Sequence, residues 1–174
     1  MVVGIPKEIV TGEKRVSVVP GIISRLKGIS VVMERGAGEA AGFPDTAYVE
    51  QGVSIVDTSA LYEQSDIILK IQTPTATEAR LFKEGTTLIS FLYPLTNLET
   101  IQILAARRVN ALAMNLIPRS SRAQSMDALS SQAIISGYKA VLLGADSLPR
   151  LFPMLMTAAG TIPPAKVFVI GAGV

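Results

Sequence analysis

The 174-residue chain contains no cysteine, no histidine and no tryptophan. Zero cysteine excludes a disulfide scaffold and any thiolate metal site. Zero histidine excludes a Ser-His-Asp triad and histidine-liganded zinc, and it removes the side chain whose ordinary pKa lies nearest neutrality. Proton chemistry falls to carboxylates, lysine, tyrosine or water. Charge is scarce as well: 17% of the residues are charged and the formal net charge is +2. The basic residues form no patch with interleaved aromatics, which make up 5% of the chain, so composition argues against nucleic acid as a partner.

Long apolar runs are missing too. Mean hydropathy is +0.43, yet no stretch of roughly 18 residues lacks charge, and even Ala140–Leu143 is bounded by Lys139 and Asp146. The opening Met1-Val2-Val3-Gly4-Ile5-Pro6-Lys7-Glu8 has neither the basic start and apolar run of a signal peptide nor the Arg- and Ser-rich texture of a transit peptide. The sequence is expected to begin within its folded domain. What is abundant is apolar residues, at 49%. That suffices for one domain of ordinary size, or two small ones sharing a core, and it excludes low-complexity disorder. The hydropathy then reads as buried parallel strands, apolar on both faces.

Short β-branched runs recur with helical stretches between them. The pattern predicts strands at Val2–Ile5, Ser30–Glu34, Ser54–Val56, Asp66–Ile71, Thr86–Leu92, Ala111–Leu116 and Lys166–Ile170. Helices are predicted at Gly21–Lys27, at Asp45–Gln51 with Asp45 as N-cap, and at Thr58–Gln64 after Asp57. Asn97–Arg108 shows the clearest apolar face, made by Leu98, Ile101, Leu104 and Ala105. Alternating strands and helices predict an α/β fold with a doubly wound, Rossmann-like parallel sheet. After Leu116 comes the polar loop Pro118–Ser125, then a long helix from about Met126 to Leu143 and a second from Leu148 to Ala158. Tyr138 and Lys139 on the long helix read as packing and surface charge. A boundary between about Leu116 and Ser130 divides the chain into an N-terminal unit, 1–125, and a second unit, 126–174.

Two segments point to chemistry. The run Lys166–Ile170 leads into Gly171-Ala172-Gly173-Val174, a strand entering G-x-G as dinucleotide-binding folds require for a tight turn and close approach to the pyrophosphate. An ordinary strand-to-turn pair gives the same short pattern. A strand and helix nucleus left unbuilt predict that the chain is a piece of a longer protein. In the second segment, Arg119, Arg122, Gln124, Asp127 and Ser130 cluster at the domain junction. Arg supplies a planar fork of donors, Gln and Ser donate and accept, and Asp accepts from a hydroxyl or carboxamide. The competing reading is a solvated loop in which Asp127 or Ser125 caps the long helix.

Three stretches carry a family resemblance: Gly4–Glu8 with Glu13–Pro20, Leu69–Pro74, and Arg119–Ser131 followed by Thr157–Ala165. Together they resemble the NAD(H)-binding domain at the N-terminus of the alpha subunit of proton-translocating NAD(P) transhydrogenase, and the resemblance spans the whole chain. It implies an N-terminal Rossmann-like subdomain, a linker helix, and the start of a second, NAD-binding Rossmann subdomain. It implies a Re/Si-specific transhydrogenase that passes hydride between NAD(H) and NADP(H), the latter held on a separate domain. Such transfer needs no acid or base, which suits a chain without histidine. The expected cofactor-binding set is Arg119, Ser120, Ser121, Arg122, Gln124, Ser125, Met126, Asp127, Ser130, Gly171, Gly173 and Val174, with no metal and no acid–base residue. Partners would be NADP-binding and transmembrane domains and a second copy of this domain. The place would be the inner face of the bacterial cytoplasmic membrane, reached through those partners.

Alanine dehydrogenase shares the fold and the first two stretches. It places a catalytic histidine on the segment matching Phe91-Leu92-Tyr93-Pro94, where this chain has Tyr93. Arg15 and Lys70 match that family's substrate-carboxylate ligands; here they also read as structural, Arg15 paired with a nearby carboxylate and Lys70 at a strand end. An enzyme acting on a 2-oxo acid, and a non-catalytic α/β module that binds partners, are the alternatives.

Overall fold

A computed structural model describes residues 1–171. The chain divides into two compact units, Met1–Pro118 and the chain from Arg119 onward. The first unit is built on six strands: β1 Val2–Ile5, β2 Ser30–Glu34, β3 Ser54–Val56, β4 Ile67–Leu69, β5 Thr87–Ser90 and β6 Asn110–Ala113. They form one sheet in the order β3-β2-β1-β4-β5-β6, and every pairing is parallel. This is the doubly wound Rossmann order expected from the alternation of strands and helices. Helices α1 Pro20–Ile23, α2 Asp45–Val49, α3 Thr58–Gln64, α4 Ala76–Ala79 and α5 Leu98–Ala106 fill the connections.

Strand side chains alternate between faces, so each parallel strand feeds two cores. On β2, Val31 and Met33 enter one cluster with Ile23 of α1 and Tyr48 of α2. Val32 enters the other with Leu61 and Tyr62 of α3, Ala79 of α4 and Leu104 of α5. Tyr62 meets Phe82 edge to face, with ring centroids 5.1 Å apart. Gly4 on β1 is required by packing, since a Cβ there would collide with the Ser65 side chain at the end of α3.

Capping sets several helix starts. Asp57 caps α3, accepting the Ala60 amide at 2.8 Å. At α2 the N-cap is Pro44 rather than Asp45, because the Asp45 carboxylate is engaged elsewhere, accepting the Gly36 amide at 2.9 Å. The helix α1 is four residues long and begins at Pro20, shorter than Gly21–Lys27. The tail of the predicted strand Ala111–Leu116 turns instead into a single 3-10 turn, Met114–Leu116. Helix α4 was not expected from the sequence.

The second unit contains a 3-10 turn at Gln124–Met126, the 20-residue helix α6 Ala128–Ser147, and a hairpin of β7 Leu155–Thr157 with β8 Gly160–Ile162. The hairpin replaces the predicted helix Leu148–Ala158. Pro153 explains the difference: it lacks an N–H, and its ring drives the preceding residue toward extended backbone. The turn is closed by Gly160 at φ +130°, while Thr157 Oγ1 donates to the Gly160 carbonyl at 3.0 Å. Lys166–Ile170 is not a strand; it pairs with no ladder among the described residues, and Phe168 and Ile170 are exposed. Extended apolar chain without a neighbouring strand has no backbone partners to define it. Tyr138 is likewise exposed rather than packed. The expectations at Gly173 and Val174 lie outside the described residues.

Candidate functional site

The polar loop folds through successive tight turns: the Ala123 amide donates to the Ser120 carbonyl at 3.0 Å, Met126 to Ala123 at 2.9 Å, and Asp127 to Gln124 at 3.2 Å. These turns deliver Asp127 to the N-cap of α6. There its Oδ1 accepts the Ser130 amide at 3.0 Å and its Oδ2 accepts the Ser130 hydroxyl at 2.6 Å. The Ser130 hydroxyl and amide bonds, in that order, hold the Asp127 carboxyl below its ordinary pKa, and Arg119 adds to the effect. Asp127 is therefore an acceptor only at neutral pH. Each carboxylate oxygen carries about two lone pairs, so the Ser130 bonds and a weaker one from the Leu129 amide leave part of its accepting capacity open. The two sequence readings of this residue are compatible.

Arg119, Ser120, Ser121, Gln124, Asp127 and Ser130 all line one cavity of about 490 Å³, together with Ser131 and Ile134. Arg122, Ser125 and Met126 do not line it; the side chain of Met126 is largely exposed. Ser131 and Ile134 escaped the sequence reading. Their signal is the helical spacing from Asp127, since positions 127, 130, 131 and 134 fall on one face of α6. The cavity thus offers a guanidinium, a carboxamide, four hydroxyls and a carboxylate around one apolar side chain. Those groups can pair with a polar ligand through directed hydrogen bonds.

A second polar cluster lies in the first unit, beyond the carboxyl ends of β1 and β4. The Lys70 ammonium, its side chain 1% exposed, is 3.2 Å from Glu8 and 2.9 Å from Glu78. Glu78 also completes a capping box with Thr75 at α4. Arg15 forks onto Glu13 through Nε at 2.8 Å and a terminal nitrogen at 2.6 Å. That fork, with help from the Gln72 carboxamide, lowers the Glu13 pKa to about 2. Arg15 and Lys70 are thus both held by carboxylates of this chain.

Tyr93 occupies left-handed backbone, with φ +42°. Asn115 Oδ1 accepts the amides of Leu92 at 2.9 Å and Tyr93 at 3.2 Å, while Asn97 Nδ2 donates to both of their carbonyls. The tyrosine ring stacks on Phe91 at 6.1 Å. None of Glu8, Glu78, Asn97 or Asn115 was given a role in the sequence reading; Glu8 and Asn115 act on partners remote along the chain, whereas Glu78 and Asn97 act on nearby residues.

Residues 4–136 match the family model described as alanine dehydrogenase/PNT, N-terminal domain, and residues 140–174 match the C-terminal domain of the same family. The chain belongs to the alanine dehydrogenase/PNT family. Among relatives, the NAD(P) transhydrogenase subunit alpha of Haemophilus influenzae is 46% identical over 100% of this chain and 34% of its own length. The NAD(P) transhydrogenase subunit alpha of Cereibacter sphaeroides is 45% identical, again over 100% of this chain and 34% of its own. An alanine dehydrogenase of Methanococcus maripaludis is 29% identical over the full chain and 48% of its own length. The chain therefore spans between a third and a half of these relatives. Among solved structures, a transhydrogenase from Sinorhizobium meliloti superposes with a TM-score of 0.94 at 42% identity, covering 99% of this chain and 52% of that one. An L-alanine dehydrogenase superposes at 0.78 and 29%, covering 84% and 40%. Among the described residues, no helix of this family member is long and apolar enough to cross a membrane, and no group of acidic residues is arranged to hold a metal ion.

Proposed function

We propose that this chain belongs to the NAD(H)-binding component of a proton-translocating NAD(P) transhydrogenase. The observation that carries the reading is the convergence of Arg119, Gln124, Asp127 and Ser130 on one cavity, in a chain about equally similar to several transhydrogenase alpha subunits. The donor set fits a nicotinamide end: Arg119 and Gln124 donate to a carboxamide oxygen or ribose, and Asp127 accepts from a carboxamide NH₂ through its uncapped lone pairs. NAD(H), when bound, supplies or accepts the hydride. The protein's role is orientation. Asp127 is fixed by the Ser130 amide and hydroxyl before any ligand arrives, so its lone pairs are aimed in advance. No residue here needs to move a proton.

Gly171, at φ +101°, has the left-handed backbone that a tight glycine turn uses, and with Gly173 and Val174 it completes the proposed cofactor-binding set. NADP(H) sits on a separate domain, the proton path in membrane domains, and the chain works as a homodimer at the inner face of the cytoplasmic membrane through those partners. The alanine-dehydrogenase branch of the family is disfavoured by Tyr93 in the histidine position and by the double pairing of Lys70. The test is fluorescence titration of the full-length protein with NADH. Arg119→Ala is expected to weaken binding by about tenfold, the value of a charge-assisted contact; unchanged affinity overturns the assignment of this cavity.

A further inference from the structure

Helix α6 forms one wall of the cavity with Asp127, Ser130, Ser131 and Ile134. Both serine hydroxyls of that wall donate into the start of the helix, Ser130 to Asp127 Oδ2 at 2.6 Å and Ser131 to the Asp127 carbonyl at 3.0 Å. Their protons are committed before a ligand arrives. Past the carboxylate the wall presents Ile134, the one apolar side chain among the described residues that line the cavity, and it is 56% exposed. Other exposed apolar side chains of α6, Ile135 and Leu142 among them, do not line it. Seven residues at 1.5 Å each carry the helix about 10 Å from Asp127 to Ile134. A helical side chain leans toward the N-terminus, over the preceding turn, so Ile134 covers the stretch of wall just beyond the reach of the carboxylate.

We propose that Ile134 is the apolar contact for the nicotinamide ring, the surface against which the ring lies once its carboxamide is held at Asp127. The inference rests on the reading that this cavity takes the nicotinamide end of NAD(H), and it adds a residue to that site. A carboxamide is a substituent at one edge of a flat ring whose faces are apolar. Hydrogen bonds at that edge fix the carboxamide in direction but leave the ring free to swing about it. An apolar side chain one step along the wall removes that freedom and takes ring surface out of water. Isoleucine suits the task because β-branching confines its χ1 to one dominant rotamer in a helix. The contact surface is set in advance, and little rotamer entropy is lost when the ring arrives. Isoleucine is also a weaker helix former than leucine or alanine, so an exposed position on α6 gains nothing from it until a ligand covers its side chain.

The test is calorimetric titration of the full-length protein with NADH and with ADP-ribose, which keeps the pyrophosphate and both riboses but lacks the ring. Ile134→Ala is expected to weaken NADH binding about tenfold and Ile134→Val about threefold, in proportion to the apolar surface removed. ADP-ribose affinity is expected to stay within about twofold of wild type in both variants. Should Ile134→Ala fail to fold, Ile134→Val carries the same comparison. Equal losses for NADH and ADP-ribose overturn the proposal, because they show Ile134 acting on the helix rather than on the ring. Arg119→Ala, titrated alongside, separates the two levels of the argument. If it weakens NADH binding while Ile134→Ala does not, the ring contact is overturned and the cavity assignment stands. If neither variant changes NADH affinity, the cavity assignment fails and the ring contact fails with it.

Discussion

Ser130 closes on Asp127 with both of its donors, its amide reaching Oδ1 at 3.0 Å and its hydroxyl reaching Oδ2 at 2.6 Å. One carboxylate thereby starts the 20-residue helix α6 and faces the cavity lined by Arg119 and Gln124. Helix stability and ligand orientation share a side chain, and substitution can separate them. Serine is as good an N-cap as aspartate but carries no charge. Asp127→Ser is expected to keep the thermal unfolding midpoint of the full-length protein within a degree or so of wild type while weakening NADH binding. A midpoint loss equal to that of Asp127→Ala would show that serine does not cap here.

The Glu13–Arg15 fork makes a pH prediction. Its folded pKa of about 2 lies below the ordinary 4.5. A depressed carboxyl contributes stability in full above its unfolded pKa and loses it as pH falls toward the folded value. Between about pH 4.5 and 2, wild type is expected to lose stability more steeply than Glu13→Gln, with the two curves running parallel above pH 6. Denaturant unfolding at a series of pH values checks this, and identical slopes in the acid limb would contradict it.

Removing the cation at the centre of the buried cluster is expected to be severe. Lys70→Met leaves Glu8 and Glu78 without their ammonium, and an unpaired buried charge costs about 3–5 kcal/mol. Urea unfolding measures that cost. The folded fraction should bind NADH with wild-type affinity, because Lys70 belongs to the first unit and not to the proposed cofactor cavity. A large loss of NADH affinity in fully folded protein would instead favour a ligand role for Lys70.

Asn115 holds the amides of Leu92 and Tyr93 on a single oxygen, at 2.9 and 3.2 Å. Asn115→Ala is expected to cost about 1–3 kcal/mol, since it strands two donors beside a left-handed Tyr93. Asn115→Asp keeps the acceptor and should recover most of that loss. Equal destabilisation by the two substitutions would show that the carbonyl oxygen is not what matters.

Much of the first unit is legible in the sequence because local signals and tertiary structure agree there. Ser54–Val56 and Thr58–Gln64 form at the expected residues, with Asp57 as the cap between them. Helix α4 spans only four residues, too few for apolar periodicity. Its trace in the sequence is the capping box Thr75-x-x-Glu78. The hairpin at Leu155–Ile162 was hidden by a run of good helix formers, and Pro153 was the signal against that reading. The polar loop announced its residue types, and the helical face starting at Asp127 accounts for Ser131 and Ile134. Glu8 was illegible as the partner of Lys70 and of the Ile71 amide because both lie more than 60 residues away, a pairing that no local pattern encodes.

The most direct test of the central claim is single-turnover hydride transfer from NADH to NADP⁺ by the full-length protein with its NADP-binding partner, measured beside NADH affinity. Orientation errors near 1 Å slow a positioned reaction by about a hundredfold. Gln124→Asn and Asp127→Asn are therefore expected to slow transfer at least tenfold while changing NADH affinity by much less. Transfer at the wild-type rate in both variants would contradict a positioning role for the loop.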